Sequence, residues 1–170
     1  NHDNGNNSNN NNPIIRAKRY DASGTDLGSF AVEPTYGAVN NQHEPSVSMV
    51  DDGRFVVVWR GADEVYGRLF NADGSASDAT FQVNQTTSGT QSNPSVAVYP
   101  DGQFVVTWQG EGSGDVDGIY ARRYHADGTP QTAEFRVNSV TDGGQYEPAV
   151  AIGQNDRHHI IAWRGNGTGD

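Results

Sequence analysis

The side chains able to do chemistry are few and do not converge. Asp115 and Asp117 share the Gly-rich stretch 110–118, whose paired carboxylates could offer oxygen ligands to Ca²⁺. The helix-loop-helix calcium pattern is not met, since its third acidic position and closing Glu are missing. The stretch has no counterpart elsewhere in the chain, so a solvated turn is the simpler reading. The histidines at 2, 43, 125, 158 and 159 follow no common pattern. His158 and His159, if they lie on a strand, point to opposite faces and do not share a metal. There is no Cys, which removes disulfides, thiolate zinc and Cys nucleophiles. No Ser/His/Asp arrangement, phosphate loop or metal triad is present. The chain therefore reads as non-enzymatic, with no cofactor beyond the candidate Ca²⁺ pair.

Composition narrows the partners. The 170 residues carry 11 Lys+Arg against 21 Asp+Glu, a net charge of -10. Such a surface does not neutralise phosphates, which argues against nucleic acid and against an anionic membrane surface. No apolar run reaches the length of a spanning helix. The chain opens at Asn1 with no signal-like stretch, as expected of a processed form, a fragment, or a sequence whose true start is not represented. Its first 12 residues include 8 Asn and have no apolar surface with which to order themselves. Asn6-Asn7-Ser8, Asn84-Gln85-Thr86 and Asn166-Gly167-Thr168 fit the glycosylation triplet, a pattern common by chance.

What must position any site is a repeat. PSVSMVDDGRFVVVW (45–59), PSVAVYPDGQFVVTW (94–108) and PAVAIGQNDRHHIIAW (148–163) are versions of one segment. A second segment recurs between them at 16–33, 66–84 and 120–138. The Trp markers at 59, 108 and 163 set a unit of 49 to 55 residues. Residues 1–13 read as an Asn-rich extension and 14–170 as one domain, with units at about 14–60, 61–109 and 110–170. Each unit predicts four short strands: Pro-Ser-Val-x-Val, an Asp-Gly turn, Phe-Val-Val-x-Trp, then Tyr-x-Arg and Phe-x-Val strands around a second Gly turn. No window has helical periodicity, so the class is all-β.

In the Phe-Val-Val strand, Phe55, Val57 and Trp59 face one way and Val56 and Val58 the other, which predicts burial on both faces. In the preceding strand Val47 and Met49 oppose Ser46 and Ser48, whose small side chains let another sheet come close. The pattern predicts β-propeller-like blades or a stacked β-solenoid. Lys18, Arg68 and Arg122 recur at one position and read as strand-face charges beside carboxylates, with anion binding as the alternative. The three Trp read as core, with sugar stacking as the alternative.

The best-preserved stretch, Pro94 to Asn138 with Gly118-Ile119-Tyr120-Ala121-Arg122-Arg123-Tyr124, resembles a repeat of large secreted and surface proteins of bacteria. The third unit departs from it, with Asn155-Asp156-Arg157 at the turn and His159 in place of Phe. The resemblance implies a propeller-like β-repeat in an extracellular or cell-surface setting, and no activity.

The strand order starts and stops in mid-unit, which predicts a half-blade at each end, each completed by a neighbouring chain. On this reading the protein is an extracellular structural subunit that assembles head to tail into a filament or ring. The edges expected to pair are Ile15, Ala17 and Tyr20 at one end and Ile160, Ala162 and Trp163 at the other, with the Asn-rich tail beside the junction. The alternative is a carbohydrate-binding or adhesion module that takes glycans.

Overall fold

The computed structural model describes residues 13–33, 41–153 and 158–166. Residues 1–12 of the Asn-rich extension and the turn at Asn155-Asp156-Arg157 lie outside them. The described residues contain no helix, and hence none long and apolar enough to cross a membrane. All elements are antiparallel strands, as the alternation predicts.

The strands are β1 (Arg16–Tyr20), β2 (Asp26–Ala31), β3 (Gln42–Met49), β4 (Phe55–Gly61), β5 (Glu64–Phe70), β6 (Phe81–Gln82), β7 (Ser92–Val98), β8 (Phe104–Gly112), β9 (Asp115–Tyr124), β10 (Phe135–Arg136), β11 (Gln145–Ile152) and β12 (His159–Gly165). They form two four-stranded sheets, in the order β3-β4-β5-β6 and β7-β8-β9-β10, and two separate hairpins, β1-β2 and β11-β12. None of these sheets closes on itself among the described residues.

The layers follow from β4 and β8, which are apolar on both faces. Phe55, Val57 and Trp59 pack with Ile15 and Val32 of the first hairpin region. Val56 and Val58 pack the other way, against Val96, Phe104 and Val106 of the next sheet. Each such side chain contributes roughly 1.5–3 kcal/mol relative to exposure. Trp59 and Trp108 are both 0% exposed, so they are core residues and not an open sugar platform. The β11-β12 hairpin packs on β7, β8 and β9 and covers the far side of that sheet.

Turns and bulges set the registers. Gly53 and Gly102 close the two Asp-Gly hairpins at φ 88° and 87°, a region that disfavours any side chain with a Cβ. β3 and β11 begin three residues ahead of their proline and β7 two, each through a register shift absent from the simple alternation. There Glu44, Asn93 and Glu147, each preceding a proline, take φ of 54°, 50° and 55°. Non-Gly residues rarely sit in this left-handed region, and its recurrence in all three units marks a built bulge.

The stretch 110–118 is not a loop. β8 and β9 continue through it as a longer hairpin, with Gly110 opposite Gly118 and Gly112 opposite Asp115.

Candidate functional site

An open apolar groove lies beside β1. Ile15, Ala17 and Val32 form one wall, and Val47 and Met49 of β3 with Phe55 and Val57 of β4 form the other; its volume is about 720 Å³. The first hairpin covers only the outer half of this sheet face. Phe30 reaches Phe55 and Phe70, with ring centroids 6.2 and 5.3 Å apart. The inner half stays bare: Val47 is 64% and Met49 66% exposed. Arg16, Lys18 and Arg19 also line the groove.

The same positions elsewhere in the molecule are filled. Val96 occupies in β7 the place of Val47 in β3 and is 6% exposed, because β3-β4 lies over it. The close approach is sealed by hydroxyls. Val96 N–H donates to Ser46 Oγ at 3.3 Å and Val98 N–H to Ser48 Oγ at 3.1 Å. These serines allow sheet contact, as their size predicts, and they also accept amides from the edge of the next sheet.

The opposite end is bare as well. Ile160 of β12 is 73% exposed, while Val105 at the same place in β8 is 0% exposed. Ala149, Ala151 and Ala162 are exposed on that side, and Trp163 is half-buried, its indole donating to Gln145 Oε1 at 2.9 Å.

The other expected residues fall in separate places. Ile15 is buried, with its N–H donating to Gln42 Oε1 at 2.7 Å and its C=O accepting from Val32 N–H at 2.9 Å. Ile15 and Ala17 therefore turn their backbone toward β2, and it is the alternate amides of Arg16 and Lys18 that face the edge of β1 at which no strand pairs among the described residues. Tyr20 is exposed at the strand end.

Asp115 and Asp117 stay close in chain but not in role. Asp115 is buried; its Oδ2 accepts from Asn138 Nδ2 at 2.7 Å and its Oδ1 from Asp117 N–H at 3.1 Å. Asp117 is exposed. No group of three His, Cys, Asp or Glu that could hold a metal occurs among the described residues. His158 is exposed, while His159 is partly buried and pairs with Tyr99 Oη at 2.9 Å. Burial, then the charges of Arg123 and His158, hold the His159 pKa below 6.5.

The recurring cation is a latch between neighbouring segments. Arg122 donates to Thr132 O at 3.1 Å and to Val83 O at 3.0 Å. Arg68 donates likewise to Asp78 O at 3.2 Å and Val32 O at 2.9 Å, with Glu33 at 3.5 Å. Carbonyls, more than the carboxylates expected from sequence, take these guanidiniums. Lys18, at the bare end, instead pairs with exposed Asp26 at 2.6 Å. Asn84 is buried, accepting from Val65 N–H at 2.9 Å and donating to Thr86 O at 2.8 Å, so its amide is not presented for glycosylation. The other two triplets lie wholly or partly outside the described residues.

Sequence reasoning missed the buried amides. Gln91 Oε1 accepts from Trp108 Nε1 at 3.1 Å, as Gln145 does from Trp163. The available signal was a Gln three residues before the proline in every unit: Gln42, Gln91 and Gln145.

No family model matches this chain. No curated protein matches it either. Among solved structures, it is similar to a GH43 endo-arabinanase from Bacillus licheniformis at 14% identity and a TM-score of 0.45. The match covers 82% of this chain and 58% of that one, so the chain spans less than two thirds of the protein it matches. That finding contradicts the expectation of a non-enzymatic filament or ring subunit: the matched protein is an enzyme, and both the filament and the exclusion of enzymatic activity are withdrawn. A likeness of this size assigns no glycosidase activity to the chain.

Proposed function

We propose that the chain is a stretch of β-propeller-like blades that works as a β-interaction module, taking an antiparallel β-hairpin into the groove beside β1. Four-stranded antiparallel sheets stacked face to face on a sequence repeat support the blade arrangement. The hairpin adds its strands at the open edge of β1, completing a four-stranded sheet by strand addition. Backbone hydrogen bonds supply pairing there, and the groove supplies register and apolar burial. The resemblance to repeats of bacterial surface proteins supports an extracellular setting.

The observation that carries this reading is the contrast between Val47 and Met49, at 64% and 66% exposure, and Val96, at 6% under a hairpin of the same kind. The test is a titration of the full chain with a backbone-cyclised hairpin of sequence 42–61. Saturable binding is expected. The double variant Val47→Asp/Met49→Asp, at exposed positions, should keep its melting temperature and lose the binding. Absence of binding to the parent chain, or binding indifferent to the double substitution, contradicts the proposal.

A further inference from the structure

The contacts between β3, β7 and β11 specify which hairpin fits. Three amides at the open edge of one strand are accepted by a serine of the preceding one: Val96 by Ser46 at 3.3 Å, Val98 by Ser48 at 3.1 Å and Val150 by Ser95 at 3.2 Å. Val47 lies opposite Val57 and Met49 opposite Phe55, the same register as Val96 with Val106 and Val98 with Phe104. The amides of Val47 and Met49 therefore point off the free edge of β3, into the place a preceding serine pair would occupy.

We infer that the groove selects a hairpin whose inner strand carries two serines spaced two residues apart, which accept the Val47 and Met49 amides. This rests on the hairpin-binding reading above and names the chemistry of its partner. The β3-β4 sequence has that pair in Ser46 and Ser48. The β11-β12 hairpin does not: Ala149 and Ala151 stand at the equivalent places. A second copy of this chain is thus the poorer occupant, since its alanines leave both amides without the acceptor. A single alanine already occurs in one such pair, since Ala97 stands in β7 where Ser48 stands in β3. Loss of both hydroxyls is the discriminating change.

The experiment compares two cyclised hairpins on the full chain: sequence 42–61, and the same peptide with Ser46→Ala and Ser48→Ala. Two hydrogen bonds of ordinary net worth predict roughly 5- to 150-fold weaker binding of the alanine peptide. Equal affinity of the two peptides overturns the serine selection and leaves hairpin docking standing. Failure of both peptides to bind overturns the docking reading itself.

Discussion

Trp59 and Trp108 occupy the same place in successive sheets, yet Phe substitution should cost them unequally. Both are 0% exposed, and their stacking is nearly identical: Trp59 on Tyr66 at 6.3 Å and 27°, Trp108 on Tyr120 at 6.4 Å and 29°. The packing lost in Trp→Phe is therefore closely matched. The hydrogen bonds are not. Trp108 Nε1 donates to Gln91 Oε1 at 3.1 Å, whereas Trp59 Nε1 is buried with no hydrogen-bond partner among the described residues. The cause lies at Glu33, which stands where Asn84 and Asn138 stand in the later units. Those asparagines accept from Val65 and Ile119 N–H at 2.9 and 2.8 Å; without one, Ile15 N–H takes Gln42 Oε1 instead. Trp108→Phe strands a buried acceptor, at about 1–3 kcal/mol, while Trp59→Phe removes an orphaned donor that already costs a similar amount. At the low end of both ranges the variants differ by about 2 kcal/mol, or roughly 4–8 °C in Tm for a chain of this size. Urea and thermal unfolding followed by circular dichroism measure it. Equal losses, or a larger loss for Trp59→Phe, would refute the reasoning.

The same logic predicts that Glu33→Asn releases Gln42 for the indole. In that background Trp59→Phe should become as costly as Trp108→Phe, a coupling of about 1–3 kcal/mol in a double-mutant cycle, and additivity of the two changes counts against it. Arg122→Met loses two guanidinium-carbonyl bonds, each worth about 1.5–3 kcal/mol, and should lower stability by at least the value of one; an unchanged Tm argues against the latch. Burial pushes the Tyr124 phenol up to about 12 while its hydroxyl donates to Val83 O at 2.9 Å. A raised phenol pKa favours the protonated form in the fold, so this contribution is whole below pH 10 and disappears as pH climbs from 10 through about 12. It amounts to about 2–3 kcal/mol, and Tyr124→Phe should flatten that alkaline step. His159 acts at the other extreme. Its pKa is held below 6.5, so the unfolded chain takes up the proton first, and stability is whole above 6.5 and declines as pH falls toward the folded value. His159→Phe should remove that acid sensitivity from the melting curve.

Strand type and packing were legible because they depend on side-chain alternation. The doubly apolar run from Phe55 to Trp59 states its own burial, and the Asp-Gly pairs state their turns. Hydrogen-bond assignments were not legible in the same way. Whether Gln42 serves an indole or a backbone amide depends on a residue nine positions earlier, Glu33, and on the register between them. The stretch 110–118 has the composition of a loop, but the β8-β9 ladder extends far enough to recruit it, and Asp115 turns in to Asn138. Val47 and Val96 sit in near-identical local sequences. Only the presence of a sheet over one and not the other separates them, and that is a property of neighbours that no local pattern encodes.

The proposed docking seats a hairpin on the edge of β1 and the face beside it. Residue-resolved amide exchange of Arg16 and Lys18 in the full chain, with and without the cyclised 42–61 hairpin, tests it most directly. Both amides should exchange fast in the chain alone and slow markedly when the hairpin is added. Slow exchange in the chain alone, or rates unmoved at a saturating hairpin concentration, would contradict it.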